Sequence, residues 1–372
     1  MQFGETMTKI NIIGQFLGTS GYASHTRQLA NALSKVCDVR IITQMYPGFE
    51  KELTDDELVN IKKQDDKERI NIIIALPHSW KMLCDRDNNV GFLVWEGDKI
   101  PISWLDDCKN KSIKQIWVPS KHTKDAVLKT ISESKKPSIW NDVIKKLRIV
   151  PHGVDFSLFF AKEKPTAFTF LCNKGYRNIY DRGGIQYVVQ AFAEEFEKDE
   201  CRLLLKINPA YNSSPLPLHE LHMKFCSGRT DILVAPDNIP FSDMINVYNG
   251  CHVFVSATRA EAFNIPCVEA MACGLPVVTT NFGGQTDFVD SSFGYLVDYN
   301  LTEIKHELMY EGIKWATPDI KDLRKGMRQM FELWKNNKYD FDKLSLLAIE
   351  KSKLYTWESS ARIANANLCK II

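Results

Sequence analysis

An α/β chain of two domains, each built on a doubly wound parallel sheet, is the fold predicted for these 372 residues. Three observations carry that prediction. Short apolar runs alternate with amphipathic stretches from end to end, the pattern of βαβ units. Most of the runs are near-continuous Val, Ile, Leu and Phe, as expected of strands covered by helices on both faces. They also fall into two sets of about six, divided by a Pro/Gly turn, which fits two sheets better than one large one. The length agrees, at roughly 100–200 residues per domain.

In the first half the strand candidates are 9–14, 38–43, 70–76, 90–95, 114–118 and 147–150, with a helix at 23–35. The join falls at Pro151-His152-Gly153-Val154-Asp155, where Pro151 pushes Val150 to an extended conformation and Gly153 permits a sharp turn. In the second half the strand candidates are 168–172, 202–207, 232–235, 252–256, 276–280 and 295–297. After residue 301 the pattern reads as helical only, with candidates at 303–315, 320–336, 343–354 and 357–371. The division is therefore 1–155, 156–345 and a helical segment 346–372.

Composition excludes several classes of function. Lys+Arg 47 against Asp+Glu 46 leaves a formal charge of +1, without the basic excess of a protein that binds nucleic acid through bulk phosphate attraction. No apolar run approaches the roughly 20 residues that span a bilayer, and the first nine residues lack the order of a signal peptide. The ten cysteines include no C-x-x-C pair, and no histidines stand at zinc-finger spacing, so neither a metal centre nor a disulfide framework is predicted. Cys172, Cys201, Cys251, Cys267 and Cys273 lie in apolar stretches, as buried thiols do in a reducing compartment, and a cytoplasmic protein is expected.

The most informative segment runs from Ser256 to Pro276, S-A-T-R-A-E-A-F-N-I-P-C-V-E-A-M-A-C-G-L-P. A strand ends near Ala257, a loop carries Glu261, and a helix starts at about Pro266, where proline suits the first turn. Gly274 and Pro276 end it. That helix is apolar all round except for Glu269, which predicts a buried helix. A carboxylate there costs several kcal/mol unless it has partners; complementing the helix N-terminus returns only about 0.3–1 kcal/mol. A buried acceptor facing the carboxyl edge of a strand suits vicinal hydroxyls, such as those of a ribose. Glu261, on the loop, is the second candidate.

This segment resembles the E-x7-E element of retaining nucleotide-sugar glycosyltransferases of glycosyltransferase family 4, whose usual form is E-G-F-G-x-P-x-x-E-A-M-A-x-G-x-P-V. Other pieces follow in the family's order: Gly18-Thr19-Ser20-Gly21, Val118-Pro119-Ser120, Pro151 to Asp155, Asn281-Phe282-Gly283-Gly284, Gly294-Tyr295-Leu296-Val297 and Tyr355-Thr356-Trp357-Glu358. The resemblance thus covers nearly the whole chain. It implies the GT-B fold, two Rossmann-like domains facing across a cleft, with the acceptor on the first and the nucleotide-sugar donor on the second. The segment 346–372 would return to the first domain. The implied activity is a hexosyltransferase-type transfer (EC 2.4 class), with retention, from a UDP- or GDP-sugar to a glycan, lipid-linked or other hydroxyl acceptor. No metal or other cofactor is required, because the leaving phosphate can take the acceptor's proton. Two alternatives stay open: a non-catalytic nucleotide-sugar-binding subunit, and a sugar-nucleotide epimerase of the same architecture.

By the same resemblance Glu269 bonds the ribose hydroxyls and Glu261 the transferred sugar. The backbone N–H groups of Phe263 and Asn264, at a helix N-terminus, face sugar and phosphate oxygens. Ala262 and Asn264 stand where the family has glycines, and Asn tolerates a left-handed backbone better than most residues. Lys174 stands where the family has an Arg, and Arg182 is followed by Gly183 in the family's usual Lys place, so that the two cations would be exchanged. Arg177 is a third candidate cation for the diphosphate. Arg offers a fork and Lys a point charge, and solvated loop charges are the alternative for all three. Gly18 and Gly21 do not form the G-x-G-x-x-G fingerprint; their loop resembles the family's glycine-rich loop over the donor phosphates, although a tight βα turn reads the same way.

Val90 to Trp95 reads as an apolar strand leading to Glu96 and Asp98, with Pro101 and Trp104 completing a W-E-x-D…P-x-x-W run found in a subgroup of the family. Glu96 is a candidate for bonding a sugar, or else a turn residue paired with Lys99 or a helix N-terminus. His78 is a weaker candidate and His152 reads as part of the join. Asp85-Arg86-Asp87 fits D-x-D but precedes Asn88-Asn89 and reads as a polar turn. The basic stretch from Lys109 to Arg148 reads as solvated helix faces, or as peripheral contact with an anionic inner-membrane surface or lipid-linked acceptor.

Overall fold

The structure is a computed structural model that describes residues 7–18, 20–43, 53–176, 180–207, 228–235, 239–305 and 308–371. The chain forms two compact units, one of Met1–Gly153 with Thr356–Ile372 and the other of Val154–Tyr355.

In the first unit six strands, β1 (Lys9–Gly14), β2 (Asp38–Ile42), β3 (Ile70–Ile74), β4 (Asn89–Phe92), β5 (Ile113–Val118) and β6 (Leu147–Ile149), pair in parallel in the order β2-β1-β3-β4-β5-β6. The Ile-rich central strand β3 is buried throughout, which is why it reads as a continuous apolar run. Ser20 opens the helix Gly21–Leu33 by accepting the Ala23 N–H on its hydroxyl at 3.1 Å. The terminal helix Trp357–Leu368 packs on that helix and accepts a bond from Gln115 Nε2 at the Asn367 carbonyl, 2.8 Å. Gly153 is needed here because a Cβ would lie 2.3 Å from the Thr356 carbon and the Trp357 nitrogen.

In the second unit β7 (Thr169–Lys174), β8 (Arg202–Ile207), β9 (Ile232–Ala235), β10 (Val253–Ser256), β11 (Val277–Thr280) and β12 (Gly294–Val297) form a parallel sheet ordered β12-β11-β10-β7-β8-β9. The first strand is central, and the chain builds outward from it on one side and then the other. One core lies under the helices Ile185–Glu195 and Ile320–Asn336, and a second surrounds the helix Ile265–Ala272. Gly274, at φ +78°, ends that helix as expected. Cys172, Cys201, Cys251, Cys267 and Cys273 are buried and unpaired. Among the described residues no helix is long and apolar enough to cross a membrane.

Three details differ from the sequence reading. The helix expected at 303–315 is an antiparallel hairpin, β13 (Tyr299–Glu303) with β14 (Lys314–Pro318). Ile304, Leu308 and Trp315 recur at helical spacing, but Gly312 sits at φ +69°, and Trp315 is buried beneath the Arg259 guanidinium, 5.5 Å from the ring centre. The segment assigned to the return from residue 346 stays in the second unit as far as Tyr355. The helix Lys338–Ser352 explains this, since Ala348 is fully buried in the core around Ile265–Ala272. Finally, β4 ends at Phe92, so Glu96 lies on the connection beyond the strand and not at its tip.

Candidate functional site

In an open α/β sheet, ligands bind outside the carboxyl ends of the strands, where neighbouring strands send their connections to opposite sides. In the second unit that place is between β7 and β10. Lys174 is the last residue of β7, Arg182 lies in the turn that follows, and Glu261 and Asn264 lie in the loop after β10. The structure brings three of them into contact. Lys174 Nζ donates to Glu261 Oε1 at 2.8 Å and to Asn264 Oδ1 at 2.7 Å. Burial pushes the Glu261 carboxyl up, but the charges of Lys174 and Arg182 outweigh it and hold the group below its ordinary range. This end of the sheet therefore presents an ionised carboxylate beside two cations.

Asn264 adopts the left-handed conformation, φ +78°, immediately before the helix Ile265–Ala272, so the turn made by glycine in the resembling family survives here. Its side chain is committed: Oδ1 accepts from Lys174, and Nδ2 donates to Ser256 Oγ at 3.2 Å. Ala262 is buried, and the Phe263 ring is buried and packs on Phe288, with centroids 4.9 Å apart. Arg177 lies outside the described residues.

Two glycine turns hold the Ala257–Phe263 loop. Gly184, at φ +77°, comes so close that a Cβ would lie 1.9 Å from the Ala257 carbonyl oxygen, and a Cβ on Gly284 would lie 2.0 Å from that of Ala262. Gly284 N also donates to the Glu261 carbonyl at 2.8 Å. Gly184→Ala combines a steric overlap with a left-handed backbone, and we expect it to cost on the order of 1–3 kcal/mol. Thermal or denaturant unfolding checks this, and an unchanged midpoint would show that the loop yields freely.

Glu269 is 5% exposed. Its Oε2 accepts the Tyr248 hydroxyl at 2.6 Å, and among the described residues no cation pairs with it. Burial pushes its carboxyl up to about 7, with the Tyr248 hydrogen bond drawing it back. Below that value the group holds its proton; above it the group is a carboxylate that accepts from hydroxyls. A ligand bound through its hydroxyls should therefore bind more tightly as pH rises through about 7. Titration calorimetry between pH 6 and 8 measures this, and affinity that falls over the range contradicts it.

In the first unit Gly18, at φ +97°, lies in the connection after β1, and Gly21 is the first residue of the helix that follows. Tyr22, next in the chain, donates its hydroxyl to the Val94 carbonyl at 3.1 Å, which brings this loop beside the segment leading to Glu96. Glu96 is buried, and its carbonyl bonds the His122 ring at 2.8 Å. Lys99 is paired with Glu133 at 2.9 Å and Asp98 with Lys129 at 2.6 Å. His78 lies beside Trp104, and the buried His152 packs against both His25 and Trp357. Asp85 accepts from Asn71 at 2.6 Å, just ahead of the bend that leads into β4. Lys109, Lys111, Lys114, Lys145 and Lys146 line one groove with Asp142, next to the exposed Ile139 and Ile144.

Tyr248 and Asn173, which donates to the Tyr248 oxygen at 3.1 Å, were not singled out by the sequence. The available signal was indirect, namely that a carboxylate inside an apolar helix requires a buried donor.

Residues 236–310 match the family model described as glycosyl transferases group 1. A putative glycosyltransferase of Sulfolobus islandicus filamentous virus is 25% identical over 64% of this chain and 63% of its own length. The chain thus aligns with somewhat under two thirds of that relative, and with 49% of a probable sucrose-phosphate synthase of Thermosipho melanesiensis, at 22% identity over 62% of this chain. Among solved structures, sucrose-phosphate synthase from Thermosynechococcus elongatus superimposes with a TM-score of 0.71 at 16% identity, over 98% of both chains. Anabaena HepE in complex with UDP and glucose gives a TM-score of 0.66 at 13% identity, covering 97% of this chain and 99% of that one. These likenesses show the fold.

Proposed function

We infer that this chain, a member of the glycosyl transferases group 1 family through residues 236–310 and of the GT-B class by its fold, is a retaining glycosyltransferase. Its donor is a nucleoside-diphosphate sugar and its acceptor a hydroxyl of a glycan, a lipid-linked sugar or a similar molecule. The observation that carries this is the cluster of Lys174, Glu261 and Asn264 at the β7/β10 crevice.

The chemistry follows from the charges. As the bond between sugar and diphosphate breaks, negative charge grows on the leaving phosphate. Lys174 and Arg182 stabilise that charge, each well-aimed donor being worth on the order of 3–4 kcal/mol. Glu261, kept ionised by the same cations, accepts hydroxyls of the transferred sugar, and Glu269 accepts those of the ribose. The leaving phosphate takes the proton of the attacking hydroxyl on the same face, so no carboxylate need act as nucleophile and configuration is retained.

HepE was solved with UDP, which makes UDP the first nucleotide to try. A thermal-shift screen of UDP, GDP, ADP and their sugar derivatives tests the reading, because a bound ligand raises stability by mass action. Donor and acceptor together should then yield free nucleoside diphosphate and a glycosylated product. Binding without turnover would indicate a non-catalytic subunit, and a free sugar epimer released without acceptor would indicate an epimerase. The lysine groove beside Ile139 and Ile144 supports an acceptor presented at an anionic lipid surface. Co-sedimentation with vesicles rich in anionic lipid, lost at high salt, is the expected result; binding indifferent to vesicle charge contradicts it.

A further inference from the structure

Glu269 poses a problem that the donor reading leaves open. Its helix neighbours Cys267, Val268, Ala270 and Met271 are fully buried, and a carboxylate among them must be made both stable and correctly aimed. Three elements converge to do this. Tyr248, fully buried on the helix Met244–Asn249, stands 2.6 Å from Glu269 Oε2, and Asn173 on β7 stands 3.1 Å from the same phenol oxygen.

The direction of this chain is fixed by valence. An amide NH2 group only donates, so the phenol accepts from Asn173 and its single proton is committed to Glu269. The 2.6 Å separation is the length of a hydroxyl-to-carboxylate bond. Asn173 also immediately precedes Lys174, and consecutive strand residues point to opposite faces. The last two residues of β7 thus serve both acidic residues of the site, Lys174 reaching Glu261 directly and Asn173 reaching Glu269 through Tyr248.

We propose that Tyr248, backed by Asn173, is a positioning residue of the donor site. Its hydroxyl occupies one oxygen of Glu269 and turns the other toward the ribose hydroxyls of the nucleotide. The proposal rests on Glu269 being the ribose ligand. Among the described residues, Tyr248 and Cys273 are the titratable groups that act on Glu269, while the Lys164 ammonium is held on the Tyr248 and Cys273 carbonyls at 3.3 and 2.9 Å. The helix Lys338–Ser352, packed on the same helix, brings the buried Ala348 there and Ile349 against Gly274. Tyr248 is therefore the group whose loss alters the carboxylate.

The test is calorimetric titration of the whole chain with UDP, GDP and ADP between pH 6 and 9. Tyr248→Phe removes one oxygen and keeps the ring. It is expected to weaken nucleotide binding about 10-fold at pH 7.5, and to move the rise of affinity with pH upward by about one unit, while kcat at saturating donor changes less than about threefold. A merely structural tyrosine would lower stability without moving the pH profile. Asn173→Leu is expected to move the profile in the same direction by less, and it carries the test should Tyr248→Phe not fold. If the unmodified protein binds one of the nucleotides and the variants reproduce its affinity and pH profile, the positioning role is overturned while the donor reading stands. If the unmodified protein binds none of them, the donor reading itself fails.

Discussion

Turnover about 100-fold below that of the unmodified protein is the expected result of Lys174→Ala. Lys174 is 7% exposed and held from two sides, by Glu261 Oε1 and Asn264 Oδ1, so its ammonium is fixed before any ligand arrives. A cation fixed in this way needs no reorganisation as charge develops on a leaving diphosphate, which is where such donors give about 100- to 1,000-fold in rate. Truncation also leaves Glu261 without its nearest counter-charge, and burial then raises its carboxyl. The loss should therefore appear in the rate at saturating donor, accompanied by a lower unfolding midpoint. Arg182→Ala is expected to lower turnover to a similar degree, since its charge acts on the same carboxylate. Release of nucleoside diphosphate, followed with time, measures both, and normal rates in either variant would remove that residue from the reaction.

The second large effect is expected on affinity. Glu269→Gln keeps the shape of the side chain and replaces one acceptor oxygen with an NH2 group that can only donate. Hydrogen bonds to a charged group contribute about 1.5–3 kcal/mol each, so binding of the cognate nucleotide should weaken by roughly 10- to 100-fold. The variant should fold, because loss of a buried charge with one neutral partner removes a desolvation penalty as well as a bond. Its unfolding midpoint should stay near that of the unmodified protein or rise. Affinity unchanged within twofold would mean that the carboxylate serves the core alone.

The central strands of the sheets, such as Ile70–Ile74 and Val253–Ser256, can be read from the chain because they are short apolar runs buried on two faces. The hairpin of Tyr299–Glu303 and Lys314–Pro318 cannot be, since its apolar residues imitate a helix and its pairing depends on Gly312 and on Arg259 packing over Trp315. At the site, Glu269 is conspicuous as one acid in an apolar helix. The partner that accommodates it is hidden, because Tyr248 sits in a six-residue helix without a recognisable pattern and meets Glu269 only after the sheet has formed. Asn264 shows the same limit from another side. Its place in the motif foretells the left-handed turn, but its hold on Lys174 arises from a strand end far away in the sequence. Local pattern thus gives backbone and burial, and the polar pairs that shape the site are set by tertiary contacts between distant segments.

The central claim is that a vicinal diol engages the carboxylate of Glu269. It is tested most directly by comparing the cognate nucleoside diphosphate with its 2′,3′-dideoxy analogue, by calorimetry, on the unmodified protein and on Glu269→Gln. The account predicts that the unmodified protein prefers the diol-bearing nucleotide by roughly 10- to 100-fold and that Glu269→Gln discriminates little between the two. Equal binding of both nucleotides by the unmodified protein, or a preference that survives in Glu269→Gln, would contradict it.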